Sequence, residues 1–166
     1  MDYKEEEKMV DFLVIGPRTG IIYDNIFPLV KDRRIMLGYN RKSMYFDNNE
    51  MGVICRWFQN IREFEIDPLP LKEYKEGEYD CYDHFAAINI DKLEDIPDYD
   101  GIIGVPISFI DKWDYRKFEI VDARDYRKDM RFKNMKVQLL CSSGGESSAV
   151  NGERKFSRIL IKKKIS

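Results

Sequence analysis

Histidine is almost missing from this chain of 166 residues, where His84 is the single one. That excludes a metal site built on two histidines and most Ser-His or Cys-His hydrolytic schemes, which need an imidazole paired to a nucleophile. Asp83 beside it could orient the ring as a base, but no nucleophile is paired to it in sequence, so a structural or surface role is the simpler reading. Cysteine is scarce as well. Cys55, Cys81 and Cys141 are odd in number, far apart and without metal-ligand spacing, and read as reduced thiols of a cytoplasmic protein. No apolar run approaches the roughly 20 residues needed to cross a bilayer, and the charged, acidic start at residues 1–8 is no secretory signal. The six prolines, at positions 17, 28, 68, 70, 97 and 106, include no adjacent pair. Gly16 and Gly20 stand in a Gly-x-x-x-Gly spacing that does not make a cofactor loop.

What is present is the material of one folded domain. The chain is 43% hydrophobic and 13% aromatic, which argues against disorder. Its net charge of −2 hides a polarity along the chain. Residues 63–100 carry 13 acidic and 3 basic side chains, whereas residues 112–166 carry 15 basic and 7 acidic ones. Such polarity fits a nucleic-acid face opposite an acidic one, or two halves that neutralise each other within one fold. The acids show no calcium-loop spacing and read as a solvated face, with no metal implied.

The hydrophobic pattern predicts an α/β fold. Residues 11–16 form a continuous apolar run ending in glycine, the pattern of a short buried strand. Ile22, Ile26, Leu29 and Val30 then share one helical face, with Thr19 or Asp24 as cap; Pro28 requires a late start near Asp24 or a kink. A second strand is expected at 35–39. An antiparallel hairpin follows, with arms at 43–46 and 52–58. Residues 67–84 read as a long surface loop, and strands are expected at 86–90, 102–107, 118–123 and 137–141. Pro106 should end the second of these, with Ser108 capping a short turn that closes at Trp113. Residues 122–136 are highly charged and fit a solvated helix or a loop, and 142–148 is a Ser/Gly loop. Asn151-Gly152 is a tight-hairpin signal joining a short strand to 155–163.

Several segments, taken in order, carry a resemblance. The run from Asp98 to Trp113, DYDGIIGVPISFIDKW, is similar to a "DYDGVMGVPITFLDKY" signature of the adenine-specific DNA methyltransferases of the EcoRI modification type. Phe12–Gly16 with Ile26–Lys31 resembles that family's "FLIIGN…EIFPLIK", Met36–Tyr39 its "WLGY", and Cys55–Asn60 its "RWFTN". Tyr82–Ile90 resembles "YDNYDAINV", and Asn151–Ile161 the closing "NGKEKFKRILI". In the family the "FLIIGN…EIFPLIK" segment follows an Asn-Pro-Pro-Phe motif, so the resemblance implies the C-terminal portion of such an enzyme. The implied fold is the last strands of a Rossmann-like methyltransferase sheet, with a reversed final strand inserted beside the fifth, followed by a β-rich appendage. Residues 1–62 would be the partial methyltransferase-like α/β segment and 63–166 a DNA-recognition region packed on it as one unit.

The implied function is recognition of double-stranded DNA within a restriction-modification or phage enzyme that transfers a methyl group from S-adenosylmethionine to adenine N6. That chemistry needs a glycine-bearing cofactor turn and a polar-Pro-Pro-aromatic motif for the extruded base. Neither is present here, so no catalytic or cofactor-binding residue is assigned, the chain alone is expected to be inactive, and a separate N-terminal catalytic polypeptide is an implied partner. Arg18, Arg41 and Lys42, in loops after predicted strands, are candidate phosphate contacts, the alternative being ordinary surface charge. Arg56 could read guanine and Asn60 adenine, against the alternative of a core strand with Trp57 buried. Tyr39, Tyr45 and Phe46 are candidate base-stacking rings, or alternating core residues of a strand. A non-catalytic nucleic-acid-binding module, a split subunit or a remnant is the rival reading; an unrelated α/β enzyme is disfavoured, because no acid/base or nucleophile constellation can be assembled.

Overall fold

The Leu-Val-Ile run and the Gly-Pro pair that stops it form the first strand, β1 (Leu13–Pro17). The coordinates are a computed structural model and describe residues 10–23, 25–38, 55–61, 63–64, 66–121, 149–155 and 158–164. The chain divides into two units, Met1–Phe64 and Glu65–Ser166.

In the first unit β1 leads into a 3-10 turn (Arg18–Ile22) and then a short helix, α1 (Phe27–Lys31). The helix starts late, as Pro28 requires: proline sits in its first turn, where a missing N–H does no harm. The N-cap position is Ile26, whose side chain makes no cap bond, and not Thr19; Asp24 lies outside the described residues. Strand β2 (Met36–Leu37) and strand β3 (Cys55–Gln59) complete a three-stranded sheet in the order β1-β3-β2, with β3 antiparallel to both neighbours. β1 and β2 are therefore parallel, and the reversed third strand lies between them. Ile21, Phe27, Val30, Cys55 and Phe58 are its buried apolar residues. The expected hairpin arm at 43–46 lies outside the described residues. β1 has the apolar pattern of a buried strand, yet Leu13, Val14 and Ile15 are exposed, as the last strands of a sheet without their neighbours should be; among the described residues β1 pairs with β3 alone.

The second unit is built on a four-stranded mixed sheet in the order β4-β5-β9-β6. Its strands are β4 (Ala87–Asn89), β5 (Ile102–Pro106), β6 (Phe118–Ile120) and β9 (Arg158–Lys163). β4 and β5 are parallel; β9 runs antiparallel to β5 and β6. Ile103, Val105, Phe109, Ile159, Leu160 and Ile161 are wholly buried, as is the ring of Tyr82 packed edge-on against Phe85. Pro106 ends β5 as expected, but the following 3-10 turn (Ile107–Lys112) has no side-chain cap: Ser108 does not fill that role, and the turn closes through Trp113 N–H on the Ile110 carbonyl. Trp113 also donates its indole N–H to the Phe118 carbonyl at 2.9 Å, which ties the turn to β6. At Asn151-Gly152 both φ values are positive, 53° and 78°, the geometry of a tight primed turn. The hairpin it closes is short, β7 (Ala149–Val150) with β8 (Glu153–Arg154); the longer arm expected at 155–163 is instead a separate strand, β9, which joins the other sheet. The segments expected at 122–136, 137–141 and 142–148 lie outside the described residues. The protein is thus an α/β fold dominated by strands.

Candidate nucleic-acid interface

The register of the first sheet sorts the residues that the sequence singles out. Because β1 and β2 are parallel, their carboxyl ends meet the same edge of the sheet, the edge where open α/β sheets face their ligands. Arg18 follows β1 there directly, and the chain leaves β2 at the same edge through Gly38 toward Tyr39, Arg41, Lys42, Tyr45 and Phe46, which lie outside the described residues. β3 enters at that edge too, since Cys55 pairs with Pro17 and Arg56 with Gly16. Arg56 is buried, at 7% exposure, within the strand. The approach is close: a methyl group on Gly38 would lie 2.5 Å from the Trp57 β-carbon, so β2 and β3 meet there only because this residue has no side chain. Trp57 itself is half-buried.

Asn60 is at the other end of the sheet, four residues along β3 and so about 13 Å from Arg56. Its amide is engaged with the chain entering β1. Oδ1 accepts the Phe12 N–H at 2.7 Å, and Nδ2 donates to the Val10 carbonyl at 3.0 Å. The side chain thereby extends the β1–β3 ladder past its last backbone step. Of the described residues chosen from sequence, Arg18 and Arg56 thus fall at this end of the sheet and Asn60 at the other.

In the second unit the acidic stretch is partly answered by cations from the C-terminal strand. Asp91 receives three donors: Asn89 Nδ2 at 3.1 Å, Lys155 Nζ at 3.4 Å and Arg158 Nη2. Burial by itself would raise its carboxyl, but the Asn89 hydrogen bond and the Lys155 and Arg158 charges outweigh that and hold it below the ordinary carboxylate range. Lys163 bonds Asp98 and lies 3.3 Å from Asp100, so this lysine of the basic tail is committed to the fold. Arg158 is itself buried, and its Nε has no partner among the described residues. Behind Asp91, Tyr82 donates its hydroxyl to Asn89 Oδ1 at 2.8 Å, and burial pushes that phenol far up, so it stays protonated. These pairings follow the second reading of the charge polarity, in which the halves offset each other.

A second carboxylate organises the hairpin. Asp83 accepts the Asn151 N–H on Oδ1 at 3.0 Å and the Gly152 N–H on Oδ2 at 2.9 Å, while Asn151 Nδ2 donates to Asp80 at 3.0 Å. Sequence reasoning named Asp83 only as a neighbour that could orient His84, and did not single out Asp91. The only signal was indirect: a primed turn leaves adjacent N–H groups that favour an acceptor. His84, the neighbour of Asp83, is half-buried. Tyr74 stacks between Tyr79 and Tyr99, with ring centroids 5.7 and 4.5 Å apart, an aromatic cluster in the acidic region that the sequence did not announce. Among the described residues no group of three His, Cys, Asp or Glu side chains could hold a metal ion, and no helix is long and apolar enough to cross a membrane.

Comparison with known proteins points the same way as the ordered segments. The family profile described as "Adenine-specific methyltransferase EcoRI" matches residues 49–164. The chain is 31% identical to the type II methyltransferase M.EcoRI of Escherichia coli, over 92% of this chain and 50% of that protein. It is 29% identical to the type II methyltransferase M.MgeORF184P of Mycoplasma genitalium and 27% identical to M.MpnI of Mycoplasma pneumoniae, each over 92% of this chain and 56% of the relative. The chain spans about half the length of these curated relatives. No solved structure matches it. With the family profile matching well over half of its residues, the chain belongs to the EcoRI-type adenine-specific methyltransferases.

Proposed function

We propose that this chain is the C-terminal, DNA-recognising part of a DNA adenine N6-methyltransferase of the restriction-modification or phage type, acting in the cytoplasm. The observation that carries the reading is the profile match to residues 49–164, together with alignment of 92% of the chain to about half of each relative. The strand order β1-β3-β2, with its reversed middle strand, supports placing the first unit at the far edge of a Rossmann-like methyltransferase sheet. On this reading S-adenosylmethionine and the catalytic motif belong to an N-terminal catalytic portion, and residues 1–166 alone transfer no methyl group. Duplex DNA lies along the carboxyl-end edge of the first sheet. Arg18, Arg41 and Lys42 hold phosphates there, and Tyr39, Tyr45 and Phe46 offer rings to a base turned out of the helix. Arg56, buried at that edge, supports the surface from below. Asn60 contributes by fixing β1, since its amide is already engaged.

The test is binding of the purified chain to adenine-containing duplexes of varied sequence, by fluorescence anisotropy in a salt series. The expected outcome is sequence-selective binding whose log affinity falls linearly with log salt. Arg41→Ala with Lys42→Ala should flatten that slope by about 2, roughly 0.9 for each phosphate that is no longer neutralised. Absence of binding at low salt overturns the assignment of DNA recognition to this chain.

A further inference from the structure

The Asn151-Gly152 pair that shapes the β7–β8 turn also carries a chemical liability. A glycine amide nitrogen can attack the side-chain carbonyl carbon of a preceding asparagine, because no β-carbon hinders its approach. The surroundings leave that reaction open. Both residues are exposed, so water and hydroxide reach them. A β-carbon built on Gly152 would meet no atom within 4 Å, so no neighbour screens the turn. What opposes the reaction is a set of hydrogen bonds to two carboxylates. Asp83 Oδ2 accepts the Gly152 N–H at 2.9 Å, Asp83 Oδ1 accepts the Asn151 N–H at 3.0 Å, and Asp80 Oδ1 accepts from Asn151 Nδ2 at 3.0 Å. The attacking nitrogen and the amide it would attack are thus each tied to a different acid.

We propose that Asn151 is a latent site of spontaneous deamidation, and that the Asp83 carboxylate is the latch that holds the reaction back. Hydroxide first removes the Gly152 amide proton. The nitrogen then bonds to Asn151 Cγ, the Cγ–Nδ2 bond breaks, and ammonia leaves with a proton taken from water. Water opens the resulting succinimide at either carbonyl and leaves aspartate or isoaspartate, with no oxidation or reduction. Asp83 opposes the first step twice. It holds the proton in a hydrogen bond, and its charge, 2.9 Å away, disfavours the nitrogen anion that must form. A carboxylate is too weak a base to remove that proton itself. The product undoes the hairpin. Isoaspartate routes the backbone through the side-chain carbon and lengthens a turn whose arms have only two residues each. Aspartate sets a third carboxylate beside Asp80 and Asp83. Either product loosens the strand that carries Val150, a residue buried with Tyr82 and Phe85 in the core of this unit.

The experiment incubates the full chain in mildly alkaline buffer and follows residue 151 by peptide mapping and mass spectrometry, which reads the change of amide to acid. The parent should deamidate far more slowly folded than unfolded in urea. Asp83→Ala should speed the folded chain's reaction roughly tenfold to a hundredfold, the worth of a hydrogen bond to a charged acceptor. Asp83→Asn, which keeps one acceptor oxygen but no charge, should fall between. In urea all three chains should react at one rate, because Asp83 then lies far along the chain from Asn151. Parent-like hydrogen exchange in β5 and β9 shows that a variant is folded, and if Asp83→Ala fails that check, Asp83→Asn carries the test. Equal rates in the folded parent and the folded variants overturn the latch. A folded parent that reacts as fast as it does in urea also overturns it, and so does a slower reaction in Asp83→Ala, which would make the carboxylate a base that drives the attack.

Discussion

Gly104 lies under the ring of Tyr82, and a methyl group placed on it would sit 2.3 Å from a ring carbon. The tyrosine cannot swing aside, because it is 1% exposed, packs edge-on against Phe85 and donates its hydroxyl to Asn89. Gly104→Ala should therefore cost about 1–3 kcal/mol, the usual penalty for overpacking a filled core, read as a lowered unfolding midpoint in circular dichroism. Asp91 sets a pH dependence with a definite sign. Its carboxyl is depressed in the fold, by Asn89 and by the charges of Lys155 and Arg158, so it stabilises the native state at pH values above the unfolded carboxylate pKa of about 3.9. That stability is lost as the pH falls through the lower native value. Acidification from about pH 6 to pH 3 should lower the melting temperature of the parent by more than that of Asp91→Asn, since the variant has no carboxyl to protonate there.

At the scale of elements, the β7–β8 hairpin has only two residues in each arm, too few to stand alone. It is held from outside, by the bridge of Tyr82 to Val150 and by the Asp83 carboxylate on both turn N–H groups. Asp83→Ala should speed hydrogen exchange at Asn151 and Gly152 roughly tenfold while β5 and β9 exchange as before, because the loss is local to the turn. α1 shows the same dependence on context. Its five residues lie far below the length at which an isolated helix forms, and burial of Phe27 and Val30 holds it in place.

For the whole molecule, the proposed division of labour makes a prediction that does not depend on DNA. A chain lacking the glycine-bearing turn and the polar-Pro-Pro-aromatic motif should show no saturable heat of binding with S-adenosylmethionine in calorimetry. Saturable binding would place cofactor recognition within residues 1–166 and require a pocket of a different kind. The charge polarity of the sequence also acts at this scale. Exposed ion pairs such as Lys72 with Asp95, at 2.5 Å, add little stability. The engagement of Lys155, Arg158 and Lys163 with acids nevertheless takes these three of the 15 basic residues at 112–166 out of the set free to meet phosphate.

The sequence by itself determined what local sterics and patterning dictate. Asn151-Gly152 gave its primed turn because those residue types tolerate positive φ, Pro28 delayed α1 because it cannot donate inside a helix, and Pro106 closed β5. The ordered segments carried family membership in the same direct way. The tertiary structure decided what depends on partners distant along the chain. The patterns of β1 and β5 are alike, and only their neighbours made one buried and the other exposed. Asn60, read as a base contact, has its amide engaged by Phe12 and Val10, 48 and 50 residues away. Asp91 and Arg158, 67 residues apart, meet only because β4 and β9 both flank β5. Local conformation follows from the residue and its immediate neighbours, whereas burial, pairing and charge neutralisation follow from which strands are brought side by side.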